Sequence, residues 1–268
     1  MCPKAVILAA GRGARLCPLT PFIPKEMLPV DGFPALHYVL NEIVDAGVTD
    51  VMIVLSEGKE TIREYLTRRI SPKGCEASRF AEERERVLSL LRFTFVMQRE
   101  LLGTAHAISL AKDFMGKDPL LVVYPDDLLY DPHKHRSSGD PSRRLLECYR
   151  RTGDSVLLGA EIPGALASMY GVLTLRRREA SYVVTDIVEK PLDYASDRAH
   201  VLVGRMVIAP RLMESIPRYR LNDGEGIIPA LLGEARASRL SAEVYQGARY
   251  DLGSHEGYGI LLRDIYRS

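Results

Sequence analysis

Short apolar runs rich in valine and isoleucine punctuate the chain. In its first half they are separated by stretches whose apolar residues recur at helical spacing. The runs predict strands at Ala5–Ala9, Val51–Leu55, Thr94–Gln98, Leu120–Tyr124, Ser155–Glu161, Gly171–Leu175, Val183–Glu189 and Val201–Ile208. Helices are predicted at Ala35–Ala46, Lys59–Arg69 and Thr104–Lys112, the first stopped by Gly47 as a C-terminal cap. Strand–helix alternation of this kind builds a parallel sheet wrapped by helices, so the fold class is α/β. The second half carries more strands and fewer helices, and there the sheet is expected to become mixed. No repeat and no low-complexity linker divides the chain, so a single domain over residues 1–268 is expected.

Two polar excursions interrupt the pattern. Ser71–Arg92 opens with Pro72 and Gly74, and its second half, AEERERVLSLLR, reads as an amphipathic helix. Asp131–Arg144 (DPHKHRSSGDPSRR) has two prolines and a glycine and reads as a loop.

Composition narrows the function classes. Apolar residues make up 46% and charged residues 26%, with a net charge of +1, so nothing draws the whole molecule to nucleic acid or a membrane. An anion site has to be local. The run Ala5–Ala10 is too short for a membrane span or an export signal, and a cytoplasmic location is expected. Cys2, Cys17, Cys75 and Cys148 form no CxxC pair, which argues against a zinc site or a disulfide framework.

Local anion chemistry is concentrated in the first thirty residues. The run Lys4 to Ala10 ends in Gly11-Arg12-Gly13-Ala14-Arg15, and Ile23-Pro24-Lys25-Glu26-Met27-Leu28-Pro29 follows. Glycines at the end of a buried strand let backbone N–H groups approach phosphate oxygens, and Arg15 and Lys25 can neutralise their charge. A dinucleotide-binding fingerprint is excluded, because its third glycine would fall on Leu16. Asp126 and Asp127 end the apolar run LLVVY, where a carboxylate faces the ligand crevice of an α/β sheet. Gln98 offers both a donor and an acceptor, as reading a pyrimidine edge requires. His106 and His255 are read as surface or structural residues.

Taken in order, GxGxR, PKEMLP, QRELLGTAHAI, Tyr124-Pro125-Asp126, Tyr170-Gly171-Val172, Val188-Glu189-Lys190-Pro191, Val203-Gly204-Arg205 and Asp251-Leu252-Gly253 span nearly the whole chain. This order resembles the sugar-1-phosphate nucleotidyltransferases, most closely their UTP–glucose-1-phosphate uridylyltransferase branch. The resemblance implies a Rossmann-like, mixed but mainly parallel sheet flanked by helices. It implies a nucleotide-binding half at about 1–130 and a sugar-binding half at about 131–268.

The resemblance also implies site roles. Ala10, Gly11, Gly13, Gln98 and Gly103 would bind the nucleotide. Gly171, Glu189 and Lys190 would bind the sugar phosphate, and Asp126 and Asp251 would hold Mg²⁺. Arg15, Lys25 and Lys190 would be catalytic. Asp127 receives no role. The implied reaction joins a nucleoside triphosphate, UTP first, to a sugar 1-phosphate, glucose 1-phosphate first, in a homo-oligomer. Ala105 stands where that branch usually carries glycine, and NDGEGIIPA at 222–230 replaces its acidic run. Those departures keep open a sister enzyme for dTTP, ATP or an unusual sugar or cyclitol phosphate. A non-catalytic sugar-nucleotide-binding homologue is a further alternative, which loss of a metal ligand or of Lys25 would have favoured.

Overall fold

The computed structural model describes residues 2–68, 78–134, 136–137, 140–179, 181–216 and 226–267. In chain order the strands are β1 (Lys4–Leu8), β2 (Pro29–Val30), β3 (Phe33–Pro34), β4 (Asp50–Leu55), β5 (Arg92–Met97), β6 (Leu120–Val123), β7 (Asp127–Asp131), β8 (Arg136–Ser137), β9 (Ser155–Pro163), β10 (Gly171–Arg178), β11 (Ser181–Glu189), β12 (Arg198–Ile208), β13 (Leu240–Tyr245) and β14 (Arg249–Asp251). The helices are α1 (Ala35–Asp45), α2 (Glu60–Thr67), α3 (Ser78–Ser89), α4 (Gly103–Ser109), α5 (Lys112–Met115), α6 (Asp140–Thr152), α7 (Pro210–Ser215), α8 (Ile228–Arg236) and α9 (His255–Arg267). Among the described residues no helix is long and apolar enough to cross a membrane.

Nine strands form one sheet in the order β10-β11-β13-β9-β12-β6-β1-β4-β5. The block β6-β1-β4-β5 is parallel throughout, and β11 and β12 run against the rest. The sheet is thus parallel in the first half of the chain and mixed in the second. Side chains alternate between two faces, so β1 sends Ala5 and Ile7 into one core and Val6 and Leu8 into the other. The first core is closed by α1, α2, α3, α6 and α9, the second by α4, α5, α7 and α8. From β1 the chain winds outward through β4 to β5, then returns to β6 on the other side of β1. That reversal is a topological switch point, where open α/β sheets form a ligand crevice beyond the carboxyl ends of their strands.

The expected strands are present with shifted ends, β5 opening at Arg92 and β12 at Arg198. Helix α1 stops as expected at Gly47, whose φ is +78°. The helical half of the first excursion is α3, and residues 69–77 lie outside those described. The reading of Asp131–Arg144 as a loop is corrected, because α6 begins at Asp140. Pro141 sits in the first turn, where a missing N–H costs no helical hydrogen bond, and Asp140 suits the positive helix end. Leu145, Leu146 and Cys148 then bury the helix on the sheet.

One buried group makes stability depend on pH. His37 of α1 is fully buried, stacks on Phe33 at 4.0 Å, and holds Nδ1 3.0 Å from the Tyr65 hydroxyl. Its Nε2 has no partner among the described residues. Burial lowers its pKa from the ordinary 6.5 to about 4, with Arg86 and Arg84 adding and Glu83 opposing. The unfolded chain therefore binds this proton first, and its contribution is lost as pH falls from 6.5 towards 4. The loss should reach about 3 kcal/mol at one pKa unit per 1.36 kcal/mol. Urea unfolding of the wild type and His37→Phe across this range is the check; identical pH slopes would contradict it.

Candidate active site

At the end of β1 the chain passes through Ala10 and Gly11 into a loop whose Gly13 has φ +66° and whose carbonyl accepts from the Thr20 hydroxyl at 2.9 Å. Arg15 lies in a short 3₁₀ turn anchored by the fully buried Leu16. A second such turn carries Lys25, Glu26 and Met27. Glu26 is fully buried and pairs with Lys59 Nζ at 2.8 Å, which pins this turn from behind. On the crevice side Lys25 Nζ reaches Asp126 Oδ2 at 2.6 Å.

Asp126 and Asp251 are 125 positions apart in sequence, yet the fold sets them side by side. Asp126 occupies the turn between β6 and β7, and Asp251 ends β14. The antiparallel pair β7–β14 places Asp127 opposite Asp251, and Leu252 N–H donates to the Asp126 carbonyl at 2.7 Å. The Asp251 carboxylate accepts from Arg15 at 3.1 Å and from Gly253 N–H at 2.9 Å. A Cβ built on Gly253 would lie 2.9 Å from Asp251 Oδ1 and 3.2 Å from Asp126 Oδ2. The same Cβ would lie 2.5 Å from Arg15 Nη2, so the two carboxylates and the Arg15 guanidinium together face one small space that only a glycine leaves open. Hard oxygens from two carboxylates suit Mg²⁺, which keeps water and phosphate oxygens in its remaining positions. Among the described residues no group of three or more His, Cys, Asp or Glu forms an alternative centre.

Charge in this crevice is balanced in pairs. Burial opposes the Lys25 ammonium, but Asp126 and Glu26 outweigh it and raise its pKa. Burial also works against the Asp126 carboxylate, and Lys25 and Arg15 reverse that effect, so its pKa falls below the ordinary carboxylate range.

A cavity of about 610 Å³ is bordered by Ala10, Gly11, Lys25, Gln98, Gly103 and Asp126. It gathers most of the nucleotide residues read from the sequence around one space. Gln98 directly follows β5, and its N–H donates to the Leu55 carbonyl at 2.7 Å. Its side-chain nitrogen lies 3.1 Å from Gly103 carbonyl and 3.2 Å from His106 Nδ1. The Gln98 side-chain amide thus donates to the Gly103 carbonyl within the protein. His106 has a structural place here, as does His255, whose Nε2 lies 3.2 Å from the Cys17 carbonyl.

The sugar-side residues form a second cluster. Gly171 of β10 pairs with Glu189 of β11. Lys190 follows with φ +46°, donates its N–H to Tyr170 carbonyl at 3.1 Å, and holds Nζ 3.5 Å from Glu189. Tyr124 links the clusters: burial pushes its hydroxyl pKa up to about 12, with Asp126 and Glu189 both adding and Thr104 opposing. A larger cavity of about 890 Å³ shares Arg15 and Asp251 with the first cluster and borders Tyr170 and Arg249, but not Gly171, Glu189 or Lys190. Of the departure at 222–230, residues 222–225 lie outside the described residues.

Two further ion pairs escaped the sequence reading. Arg205, fully buried in β12, holds Glu42 at 2.7–3.1 Å and donates to the carbonyls of Tyr124 and Gly204, each at 3.0 Å. Arg249 holds Asp127 at 2.7 and 2.9 Å. Arg205 stands inside the motif Val203-Gly204-Arg205, and Arg249 lies two residues before Asp251-Leu252-Gly253, but neither partner was visible in the sequence.

The fold and the residues at its switch point define a nucleotidyltransferase. The chain belongs to the nucleotidyl transferase family, whose profile matches residues 4–258. It is 30% identical to UTP–glucose-1-phosphate uridylyltransferase 2 of Staphylococcus saprophyticus, over 95% of this chain and 89% of that one. The UTP–glucose-1-phosphate uridylyltransferase of Bacillus subtilis is 28% identical, over 95% and 88%. A UDP-glucose pyrophosphorylase structure complexed with UDP-glucose superimposes with a TM-score of 0.87 at 29% identity, covering 100% of this chain and 99% of the other. A UTP-bound enzyme from Acinetobacter baumannii gives 0.85 at 26% identity, covering 100% and 93%.

Proposed function

We propose that this nucleotidyltransferase joins UTP to glucose 1-phosphate, giving UDP-glucose and pyrophosphate. It does so in one domain, with a nucleotide half at about 1–130 and a sugar half at about 131–268. The observation that carries the reading is the convergence of Asp126, Asp251, Lys25 and Arg15 beside the cavity bordered by Gly11, Gln98 and Gly103. The names of the relatives favour UTP and glucose 1-phosphate over the alternatives.

In the reaction a phosphate oxygen of the sugar phosphate attacks the α-phosphorus, and the bond to the departing pyrophosphate breaks. The nucleophile is already an anion, so no general base is needed. The obstacle is bringing two anions into line, which positioning and fixed charge overcome. Ala10, Gly11 and Gly13 bring backbone close to the triphosphate. Lys25 and Arg15 exchange their carboxylates for its oxygens, and Lys190 holds the incoming sugar phosphate beside Gly171 and Glu189. Asp126 and Asp251 would hold Mg²⁺, which when bound supplies charge neutralisation between the two phosphates.

Base choice gives a direct test. Gln98 Oε1 accepts from the N3–H of uracil or thymine, a donor that adenine lacks. A buried polar group left unpaired by the wrong base rejects it strongly. Pyrophosphate release measured across triphosphates and sugar 1-phosphates should give UTP or dTTP the highest kcat/KM, and Gln98→Ala should narrow their lead over ATP and GTP. If ATP is the best wild-type substrate, the nucleotide is wrongly assigned; no pyrophosphate from any pair would overturn the reaction itself.

A further inference from the structure

Asp127 neighbours a proposed metal carboxylate yet points its own carboxylate elsewhere. It is largely buried, accepts from Arg249 Nε (2.7 Å) and Nη2 (2.9 Å), and takes a third hydrogen bond from Gly204 N–H (2.8 Å). With those three donors around it, Asp127 is committed to the protein. Gly204 permits this approach, because a Cβ there would come within 2.8 Å of Tyr124 and 2.9 Å of Asp127.

Arg249 is held as firmly. It belongs to β14, two residues before Asp251, and its guanidinium lies over the Tyr170 ring at 4.6 Å. Asp127 follows Asp126 directly and stands opposite Asp251 in the β7–β14 ladder. The short ladder alone leaves that junction three residue pairs long. The ion pair crosses the same junction with planar, two-point geometry, which fixes orientation as well as distance.

We propose that Arg249 and Asp127 form a positioning pair that holds Asp126 and Asp251 at the separation a shared cation needs. The proposal rests on the assignment of those two aspartates to the cation. Partners outside the ligand set commonly tune metal affinity or activity by 10–100-fold.

The test is a double-mutant cycle with the near-isosteric neutral changes Asp127→Asn and Arg249→Gln, and Arg249→Lys as the conservative variant. Two quantities are read: Mn²⁺ affinity by electron paramagnetic resonance at constant UTP, and kcat with Mg²⁺. Each single change should weaken Mn²⁺ binding and lower kcat by about 10–100-fold. The double variant should be no worse than either single, and Arg249→Lys should recover part of the loss. Thermal unfolding establishes which variants are folded; if Arg249→Gln is not, Asp127→Asn and Arg249→Lys carry the test. Asp126→Ala separates the layers of the argument. If it loses the protein-dependent Mn²⁺ binding while Asp127→Asn and Arg249→Lys behave as wild type, the positioning pair is refuted. Multiplying effects in the cycle also refute it. If Asp126→Ala keeps full Mn²⁺ binding, the cation assignment itself fails.

Discussion

Replacing Asp126 or Asp251 by alanine is expected to lower kcat by about 10²–10³-fold or more, the scale seen when one fixed electrostatic contact to a transition state is lost. The expectation follows from the shared space at Gly253, where a single point lies 2.9 Å from Asp251 Oδ1 and 3.2 Å from Asp126 Oδ2. Neither carboxylate alone can replace the other there. Removing Asp126 also leaves Lys25 without its 2.6 Å partner, so the ammonium becomes free to collapse onto other acceptors. Chelation of divalent ions should abolish turnover in the wild type, and full activity in excess EDTA would contradict the cation assignment. The same loss in both aspartate variants, with unfolding transitions like the wild type, is the supporting result.

The two lysines are expected to separate by substrate. Lys25 lies beside Asp126 at the cavity bordered by Gly11 and Gln98, whereas Lys190 leaves β11 beside Glu189 and Tyr170 with 62% of its side chain exposed. Lys25→Ala should damage use of the triphosphate and lower kcat by about 10²-fold or more, because its charge meets the leaving pyrophosphate. Lys190→Ala should mainly raise KM for the sugar phosphate by about 10–100-fold, the worth of a charge-assisted hydrogen bond. Steady-state kinetics with each substrate varied in turn decides the matter. Reversed effects would mean that the lysines face the opposite phosphates.

Much of the fold was legible because a parallel strand buried on both faces must be apolar along its whole length. LLVV, VMIVL and KAVIL announce themselves in that way. Strands β7 and β14 did not, since DLLYD and RYD are short and bounded by charge. Yet these two strands bring Asp126 to Asp251, so the convergence came from a family resemblance and never from spacing. Helix α6 was hidden by the prolines and charges at its start, which local punctuation rules assign to a loop. The Gly11–Lys25 region was readable because its chemistry is local in sequence. The Asp127–Arg249 and Glu42–Arg205 pairs span 122 and 163 positions, and no local pattern predicts which charges will meet.

Strand β12 treats its two neighbours differently. Against β6 its register is unbroken, but against β9 it slips between Val203 and Met206, where Leu158 is followed directly by Leu157. Gly204 and Arg205 are the two residues without counterparts in β9. Because side chains alternate, a slip of one residue would turn every later apolar group of β12 to the opposite face, whereas a slip of two leaves them in place. Val203 and Val207 accordingly share one core while Met206 and Ile208 share the other. The packing layers cannot sense the extra pair, so those two positions escape the demand for apolar side chains that governs the rest of the strand. Chemistry occupies them instead: one contributes a bare backbone N–H to Asp127, the other a guanidinium to the carbonyl of Tyr124. Parity, more than composition, is what admits a buried arginine to the middle of an otherwise hydrophobic sheet.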